Sequence, residues 1–342
     1  MKNRIDLSKT NVRTDLVIDN EIKDSYIDKL QINDNIFVTR IDVNEDLSHE
    51  LNKKIGSYIT IEFDDITNHE DNIEVSEILT KELKTLLEKK KISNKDNCLV
   101  LGLGNRFSTA DSLGPVTLDK IMVTRHLFIM NTDVKAGIRE VSAISPGVMA
   151  NTGIETYDII TSLVERINPR FLIVIDALAS SSIERINKTI QITDTGIHPG
   201  SGIGNNRKEI SLDTIGIPVI AIGVPTVVES SIIVSDTINY IFKHLSYIKD
   251  HYETNKLIVT HRDRKKYLET IKNSNLSDNE KQEVSGILGT MTEEKKKELI
   301  YEVLNSINYN MIVTPKEIDF LIDKLSEVIS KAINSSLHED VT

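Results

Sequence analysis

The sequence predicts an α/β protein with a mostly parallel central sheet and helices on both of its faces. Three short runs, at residues 98–103, 171–175 and 219–224, are apolar at nearly every position. Strands buried on both faces have this composition, because helices cover each side of a parallel sheet. Segments with helical periodicity separate the three runs, as expected when crossover helices connect parallel strands.

The N-terminal part of the chain predicts two strands and two helices. Residues 36–43 and 57–63 are rich in β-branched side chains and alternate in part between apolar and polar positions, a pattern typical of strands. Between residues 75 and 91 the apolar side chains recur on one helical face. Pro115 suits the first turn of a helix that should cover residues 116–125.

The middle of the chain predicts two more helices and one irregular insert. A helix over residues 151–167 should end before Pro169, and a second should cover residues 231–245. Residues 187–216 break the alternation and are rich in Gly, Thr and Asn. This stretch is expected to form hairpins, and hence a smaller β-rich insert in a core that spans residues 16–260.

The C-terminal part predicts a helical region. From about residue 261 the composition shifts to Lys, Glu, Asn and Leu, and capping-box patterns begin at Ser277 and Thr314. Residues 261–342 are therefore expected to form helices that pack on the core.

Composition narrows the class of protein. Lys and Arg number 41 against 52 Asp and Glu, which gives a formal net charge of −11. This balance argues against direct nucleic-acid binding, which needs a basic face. The single cysteine, Cys98, excludes an internal disulfide. No apolar run approaches the ~20 residues of a membrane helix, and the N-terminus lacks the apolar centre of a signal peptide. We expect a cytoplasmic protein.

Several common site motifs are missing. The sequence contains no HExxH pattern of a zinc helix and no GxSxG nucleophile turn. Gly102-Leu103-Gly104 follows a strand as in dinucleotide-binding proteins, but the third glycine of that motif would fall at Phe107. No cofactor and no metal site is predicted.

Two aspartates are the best candidates for chemistry. Asp111 lies in the loop after strand 98–103, and Asp176 directly follows strand 171–175. Sites in open parallel sheets form beyond the carboxyl ends of the strands. Two carboxyl groups that share such a site separate their pKa values and can act as acid and base. Asp111 could instead simply cap a helix.

Two further sets of residues are weaker candidates for substrate binding. Gly200, Ser201 and Gly202 lie in a glycine-rich stretch that would allow the backbone to approach a ligand, for example an extended peptide. A plain flexible loop is the alternative. Glu229 is a possible third acid of the site, although acidic residues are common near helix N-termini for reasons of the helix dipole.

Several longer strings resemble one family. The sequence around Asp111 resembles the hydrogenase-maturation endopeptidase superfamily, and the more specific resemblance is to the germination proteases of endospore-forming bacteria. The matching strings extend over nearly the whole chain: Leu101–Asn105, Asp111–Pro115, Ser145–Met149, Thr152–Thr156, Ile175–Ala179, Thr189–Gln191, Asp194–Asn205, Gly216–Val228 and Val313–Asp319.

The resemblance implies an atypical aspartic endopeptidase, made as a zymogen in the forespore, that degrades small acid-soluble spore proteins during germination. It maps the two essential aspartates of the family onto Asp111 and Asp176. It also implies a homotetramer and an α/β core with a smaller β-rich domain. The related maturation proteases add a histidine that binds nickel, and nothing here clearly supplies that histidine.

The resemblance further implies self-processing between Asp15 and Leu16, with residues 1–15 as the pro-segment. The family is understood to cut after the first acid of a Thr-Glu-apolar-x-x-Glu pattern, and Thr14–Asp19 repeats it with aspartates. Val17 stands where the family pattern has alanine. Two alternatives stay open: a metal-assisted maturation peptidase and a peptide-binding module without catalysis.

Overall fold

The structure is a computed structural model that describes residues 15–19, 22–130, 133–200, 207–250, 267, 270–271 and 274–339. The described residues fall into two compact units. The larger unit lies within Arg13–Ser180, Glu184–Val227 and Thr314–Thr342, and the smaller within Ser181–Ile183 and Val228–Val313.

The strands of the described residues belong to one sheet. They are β1 (Ile27–Gln31), β2 (Ile36–Val43), β3 (Gly56–Phe63), β4 (Cys98–Gly102), β5 (Val141–Ile144), β6 (Phe171–Ser180), β7 (Thr189–Thr193), β8 (Val219–Glu229) and β9 (Ile312–Val313). Their order is β1-β2-β3-β7-β8-β6-β4-β5, and β9 pairs with β8.

The helices of the same residues vary widely in length. They are α1 (Glu45–Leu51), α2 (His69–Lys89), α3 (Leu113–Leu118), α4 (Arg125–Ile129), α5 (Met149–Thr152), α6 (Thr156–Ile167), α7 (Leu212–Ile215), α8 (Ser230–Asp250), α9 (Asp278–Ser285), α10 (Ile287–Thr290), α11 (Glu293–Ser306) and α12 (Ile318–Leu337).

The predicted α/β class and the helical C-terminal region are confirmed, but the sheet is mixed. Strand β4 pairs in parallel with β5 and β6, whereas β1, β2, β3, β7 and β8 form an antiparallel series. Apolar content reports how deeply a strand is buried, not its direction, which the connections set. Strand β7 comes from the glycine-rich insert and pairs with both β3 and β8, so it extends the main sheet.

Helices cover both faces of the parallel part of the sheet. On one face, Val100 and Ile173 belong to a large apolar cluster with α2 and α12. On the other face, Leu99 and Leu172 pack with Ile160 of α6. Consecutive strand residues point to opposite faces, which explains why the runs are apolar throughout.

The smaller unit is mainly helical. In it, the Lys296 ammonium of α11 donates to the Asn239 side chain of α8 at 2.8 Å. Strand β9 pairs Val313 with Val228. No helix among the described residues of the chain is long and apolar enough to cross a membrane.

Several elements differ from the sequence-based bounds. The strand at 171–175 continues through Asp176 to Ser180, and the expected helix over 116–125 is replaced by the short α3 and α4. Helix α12 begins at Ile318 with Glu317 as its N-cap, not at the Thr314 capping box. The Thr314 hydroxyl instead donates to the Thr226 carbonyl at 2.8 Å, so a tertiary bond replaces the local one.

Candidate active site

Asp111 ends a short 3-10 turn, Thr109–Asp111, in the loop that follows β4. The Asn105 N–H donates to both the Asp111 carboxylate and its carbonyl oxygen, at 2.9 Å each. The turn and the end of β4 are thereby closed into one compact loop.

Glycines at the end of β4 make this loop possible. Gly104 has a φ of +106°, and a Cβ there would lie 2.1 Å from the Asp111 carbonyl oxygen. A Cβ on Gly102 would lie 2.5 Å from the Gly114 carbonyl oxygen at the start of α3. The two glycines that resembled a dinucleotide motif therefore allow the chain to approach itself closely at the Asp111 turn.

Thr226 of β8 holds the same turn from the other side. Its buried hydroxyl donates to the Ala110 carbonyl at 2.6 Å. This bond fixes the residue next to Asp111 to the central sheet, and so limits where the Asp111 carboxylate can lie.

Asp176 lies within β6 and is the first residue beyond the part of that strand that pairs with β4. The parallel register ends with Gly102 opposite Ile175, and the Leu103 N–H donates to the Ile175 carbonyl at 2.8 Å. Asp176 is the next residue, is 5% exposed, and accepts from the Ala177 N–H at 3.0 Å. The edge of β6 is thus open to another segment just beyond Asp176.

The two aspartates influence each other electrostatically. Burial raises the pKa of Asp176 well above its ordinary value, and the charges of Asp111 and Asp15 raise it further. Burial also raises the pKa of Asp111, against the Asn105 hydrogen bond. The Arg207 charge lowers the pKa of both carboxyl groups. Asp176 is therefore the carboxyl group whose surroundings most favour the protonated form.

Asp15 occupies the open edge of β6. The Asp15 N–H donates to the Ala179 carbonyl at 3.2 Å, and the Ala179 N–H donates to the Asp15 carboxylate at 3.0 Å. Ile175 and Ala179 are four residues apart in one strand, so their main-chain groups point to the same side. Asp15 therefore lies on the side of β6 that β4 has left.

The residues after Asp15 are buried and anchored. Leu16 and Val17 have no exposed surface, and Val17 packs in a small apolar cluster with Leu47. Asp19 forms an ion pair with Arg185 at 2.6 Å, and the Ser180 hydroxyl donates to it at 3.2 Å.

Two side chains donate to the Asp15 carbonyl oxygen. The Lys53 ammonium lies 3.2 Å from it and the Gln191 amide nitrogen 3.4 Å. The side-chain amide oxygen of Gln191 accepts a hydrogen bond from the Val17 N–H at 2.8 Å. Burial lowers the pKa of Lys53, while the charges of Asp15 and Asp19 oppose that shift.

These groups were not predicted from the sequence. Lys53, Arg185 and Arg207 belong to no motif, and Gln191 belongs to a string that resembles the family but was given no role. Each reaches the site through tertiary structure. A buried polar side chain in an apolar strand, such as Gln191 in β7, was the one signal available.

The remaining predicted residues make no hydrogen bond described above with this cluster or fall outside the described residues. Gly200 ends the described part of the glycine-rich stretch with a φ of +72°, and Ser201 and Gly202 lie outside it, as do residues 1–14 of the predicted pro-segment. Glu229 belongs to the smaller unit, where it accepts from the Ser231 hydroxyl. No group of three or more His, Cys, Asp or Glu side chains in the described ranges could hold a metal ion.

Comparison with known proteins identifies the family. The family model described as "Germination protease" matches residues 6–342. The chain belongs to the germination protease family. The chain is 43% identical to the germination proteases of Bacillus mycoides (strain KBAB4) and Geobacillus sp. (strain WCH70), each match covering 100% of this chain and 97% of the relative.

A solved structure gives a much weaker likeness. The [NiFe] hydrogenase maturation protease HycI from Thermococcus kodakarensis KOD1 is 18% identical, with a TM-score of 0.26 over 41% of this chain and 80% of that one. A superposition this weak supports no argument. Membership of the germination protease family makes this protein a hydrolase of peptide bonds that acts in spore germination.

Proposed function

We propose that this germination protease is an aspartic zymogen that removes its own residues 1–15 and then degrades small acid-soluble spore proteins. The observation that carries the proposal is the place of Asp15. This residue is bound on the edge of β6 at Ala179. The charges of Asp15 and Asp111 both raise the pKa of Asp176. These contacts support binding of the Asp15–Leu16 peptide bond in the same part of the larger unit as the two aspartates.

The pKa shifts suggest a role for each aspartate. The pKa of Asp176 is raised by burial and by two neighbouring charges, so Asp176 keeps the shared proton. Burial raises the pKa of Asp111 as well, but the backbone hydrogen bond from Asn105 opposes that rise, so Asp111 is the carboxyl group assigned the ionised state. In the proposed reaction Asp111 takes a proton from the attacking water and Asp176 protonates the leaving amine. The pair titrates as a unit.

The bound segment also suggests how substrates are recognised. Asp15 and Asp19 are both held by polar or basic groups of the larger unit, and Leu16 between them is buried. An unfolded substrate with an acid, an apolar residue and a second acid four positions on would place equivalent groups there. Because the chain resembles other germination proteases, we propose small acid-soluble spore proteins as its substrates.

The decisive experiment is incubation with a purified small acid-soluble spore protein, followed by mass spectrometry of the fragments and N-terminal sequencing of the protease. We expect cuts after an acid and a processed chain that begins at Leu16. Asp111→Asn and Asp176→Asn should each slow both reactions at least ~10²-fold, the usual scale for a general acid or base.

A matched control and two alternative outcomes complete this test. Asp119→Asn removes an exposed carboxylate that pairs with Arg106, and it should leave the rate unchanged. Tight binding without any cleavage would replace the proposal with a peptide-binding module. Cleavage that a chelator abolishes and added metal restores would replace it with a metal-assisted peptidase.

We also propose that the protein assembles as a homotetramer and acts in the spore core, with small acid-soluble spore proteins as its macromolecular substrates. Support for the assembly comes from the family resemblance. Light scattering of the purified full chain measures the assembly, and a mass other than four chains would reject it.

A further inference from the structure

The two donors to the Asp15 carbonyl oxygen are arranged around the bond that processing would break. The Lys53 ammonium and the Gln191 amide nitrogen lie 3.2 and 3.4 Å from this oxygen. The oxygen belongs to the Asp15–Leu16 peptide. An ammonium and an amide that converge on one carbonyl oxygen are the components of an oxyanion site.

Gln191 has a fixed orientation. Its side-chain oxygen accepts from the Val17 N–H at 2.8 Å, so its nitrogen must face the Asp15 carbonyl. A single side chain thereby holds the main chain on both sides of the Asp15–Leu16 bond. Gln191 is 6% exposed, so water competes little for these bonds.

We infer that Lys53 and Gln191 are catalytic donors that stabilise the oxyanion formed at the Asp15 carbonyl, an inference that rests on the cut after Asp15 proposed above. Both distances exceed the ~2.9 Å typical of an N–H···O bond. Hydrogen bonds that are loose to the ground-state carbonyl and tighten to the oxyanion lower the barrier instead of merely binding substrate.

Hydrolysis begins when the water oxygen bonds to the Asp15 carbonyl carbon. The π electron pair of the carbonyl moves to the oxygen held by Lys53 and Gln191, and the water proton passes to Asp111. On collapse the C–N bond breaks, and the Leu16 nitrogen takes the proton of Asp176. The new carboxylic acid at Asp15 releases its proton to Asp176, which is thereby reprotonated, and Asp111 loses its proton to solvent. The products are a carboxylate at Asp15 and an amine at Leu16.

The same donors would serve external substrates. A spore protein bound on the edge of β6 in place of Asp15 would present its scissile carbonyl to the same two groups. The sharpest test is nevertheless the self-cleavage of the full chain, because this bond is already bound.

The first test removes the Lys53 ammonium by substitution and then restores an ammonium at the same position by chemical modification. Lys53→Cys should slow self-cleavage about 10²-fold, the scale of losing one oxyanion donor. Treatment with 2-bromoethylamine then attaches an aminoethyl group to the new thiol and should restore most of the rate. The natural cysteine, Cys98, is buried, and burial raises the pKa of its thiol, so it should not react.

Lys54→Cys is the matched control. The Lys54 ammonium pairs with Glu209 and Asp213, both at 2.6 Å. This variant should cleave at the parental rate before and after alkylation. An unalkylated Lys53→Cys chain that also cleaves at the parental rate would overturn the inference.

Hydrogen exchange of the Val17 amide separates catalysis from docking. A catalytic role predicts that this amide stays protected in Lys53→Cys although cleavage is slow. Loss of its protection together with the rate would make Lys53 a docking residue and would also overturn the inference. If the parental chain does not cut after Asp15, the proposed function fails instead.

A second variant keeps the inference testable if Lys53→Cys does not fold. Gln191→Glu retains an oxygen that accepts from Val17 but loses the donor to the Asp15 carbonyl. Slower self-cleavage with a protected Val17 amide supports the oxyanion role. An unchanged rate in Gln191→Glu contradicts it.

Discussion

At Asp176, burial and the charges of Asp111 and Asp15 all disfavour the ionised carboxylate and raise its pKa. A carboxyl group in an apolar strand would be costly if its environment forced it to stay charged. Here the environment lets it keep a proton, which is the state that a general acid needs. The opposing Arg207 charge limits the rise in pKa.

The raised pKa of Asp176 predicts a pH-dependent stability. A carboxyl group whose folded pKa exceeds the unfolded value contributes stability below the unfolded pKa, about pH 4, and loses it as pH rises through the folded pKa. The free energy of unfolding of the parent should therefore fall over this window relative to Asp176→Asn, by about 1.4 kcal/mol for each pH unit that separates the two pKa values. Urea unfolding from pH 4 to 8 gives the free energy of unfolding of the parent and of Asp176→Asn at each pH. A constant difference between the two over this range would contradict the prediction.

Gly104 offers a second test at the residue scale. Gly104→Ala would place a Cβ 2.1 Å from the Asp111 carbonyl oxygen, so the Asp111 turn must move and cleavage should fall at least ~10-fold. Gly153→Ala is the control, because Gly153 also has a positive φ, +70°, but no atom lies within 4 Å of the added carbon. Both variants carry backbone strain of about 1–2 kcal/mol. Equal activity in the two would reject a positioning role for Gly104.

At the scale of elements, the end of β6 decides where the chain places residues 15–19. Strand β4 leaves β6 after Ile175, and the exposed edge then pairs with Asp15 instead of water. The short 3-10 turn Val17–Asp19 follows and directs Asp19 to Arg185. The turn brings both acids near Lys53.

The Asp19–Arg185 pair should hold this turn in place. Asp19 has no exposed side-chain surface, whereas Arg185 is 24% exposed. Arg185→Met should therefore destabilise the docked turn by about 3 kcal/mol, at the low end for breaking a buried pair. Self-cleavage should slow, and the Val17 amide should exchange faster.

The double variant Arg185→Met/Asp19→Asn tests whether loss of the ion pair causes the faster exchange of the Val17 amide. It also removes the carboxylate charge that Arg185 neutralises in the parent, so part of the protection at Val17 should return. A double variant as unprotected as Arg185→Met alone would show that the ion pair is not what holds the turn.

At the scale of the molecule, Arg139 ties the C-terminal helix α12 to the rest of the larger unit. It is 2% exposed, and its guanidinium donates to the carbonyl oxygens of Ser93, Asp96 and Leu337 at 2.7 to 3.2 Å. Through Arg139, these bonds link Leu337 to Ser93 and Asp96, which lie more than 240 positions earlier in the chain. The end of the chain is thereby part of the same core as the site.

Arg139→Met should lower the free energy of unfolding by roughly 2–4 kcal/mol, because buried carbonyl oxygens lose their donor. Arg166→Met, at an exposed position of α6, should change it by less than ~0.5 kcal/mol. Thermal or urea unfolding of the full chain gives the free energy of unfolding of each of these two variants. Equal stability would mean that water replaces the guanidinium.

The sequence by itself determined the α/β class and the buried strands, and it singled out two aspartates as candidates for chemistry. Fully apolar runs such as 98–103 and 171–175 have few alternatives to a covered sheet, and residues that directly follow such runs collect at one edge. Strands β2 and β4 were predicted within one residue of their observed ends for the same reason.

Only the tertiary structure decided that the sheet is mixed, that β6 extends past Asp176, and which groups surround Asp15. Lys53 and Gln191 lie 38 and 176 residues from Asp15 along the chain. No local pattern encodes such contacts, because hydrogen bonds between distant residues depend on how strands pair and in which register. The sequence therefore indicated which carboxyl groups could do chemistry, and the fold alone placed Lys53 and Gln191 at the Asp15 carbonyl oxygen.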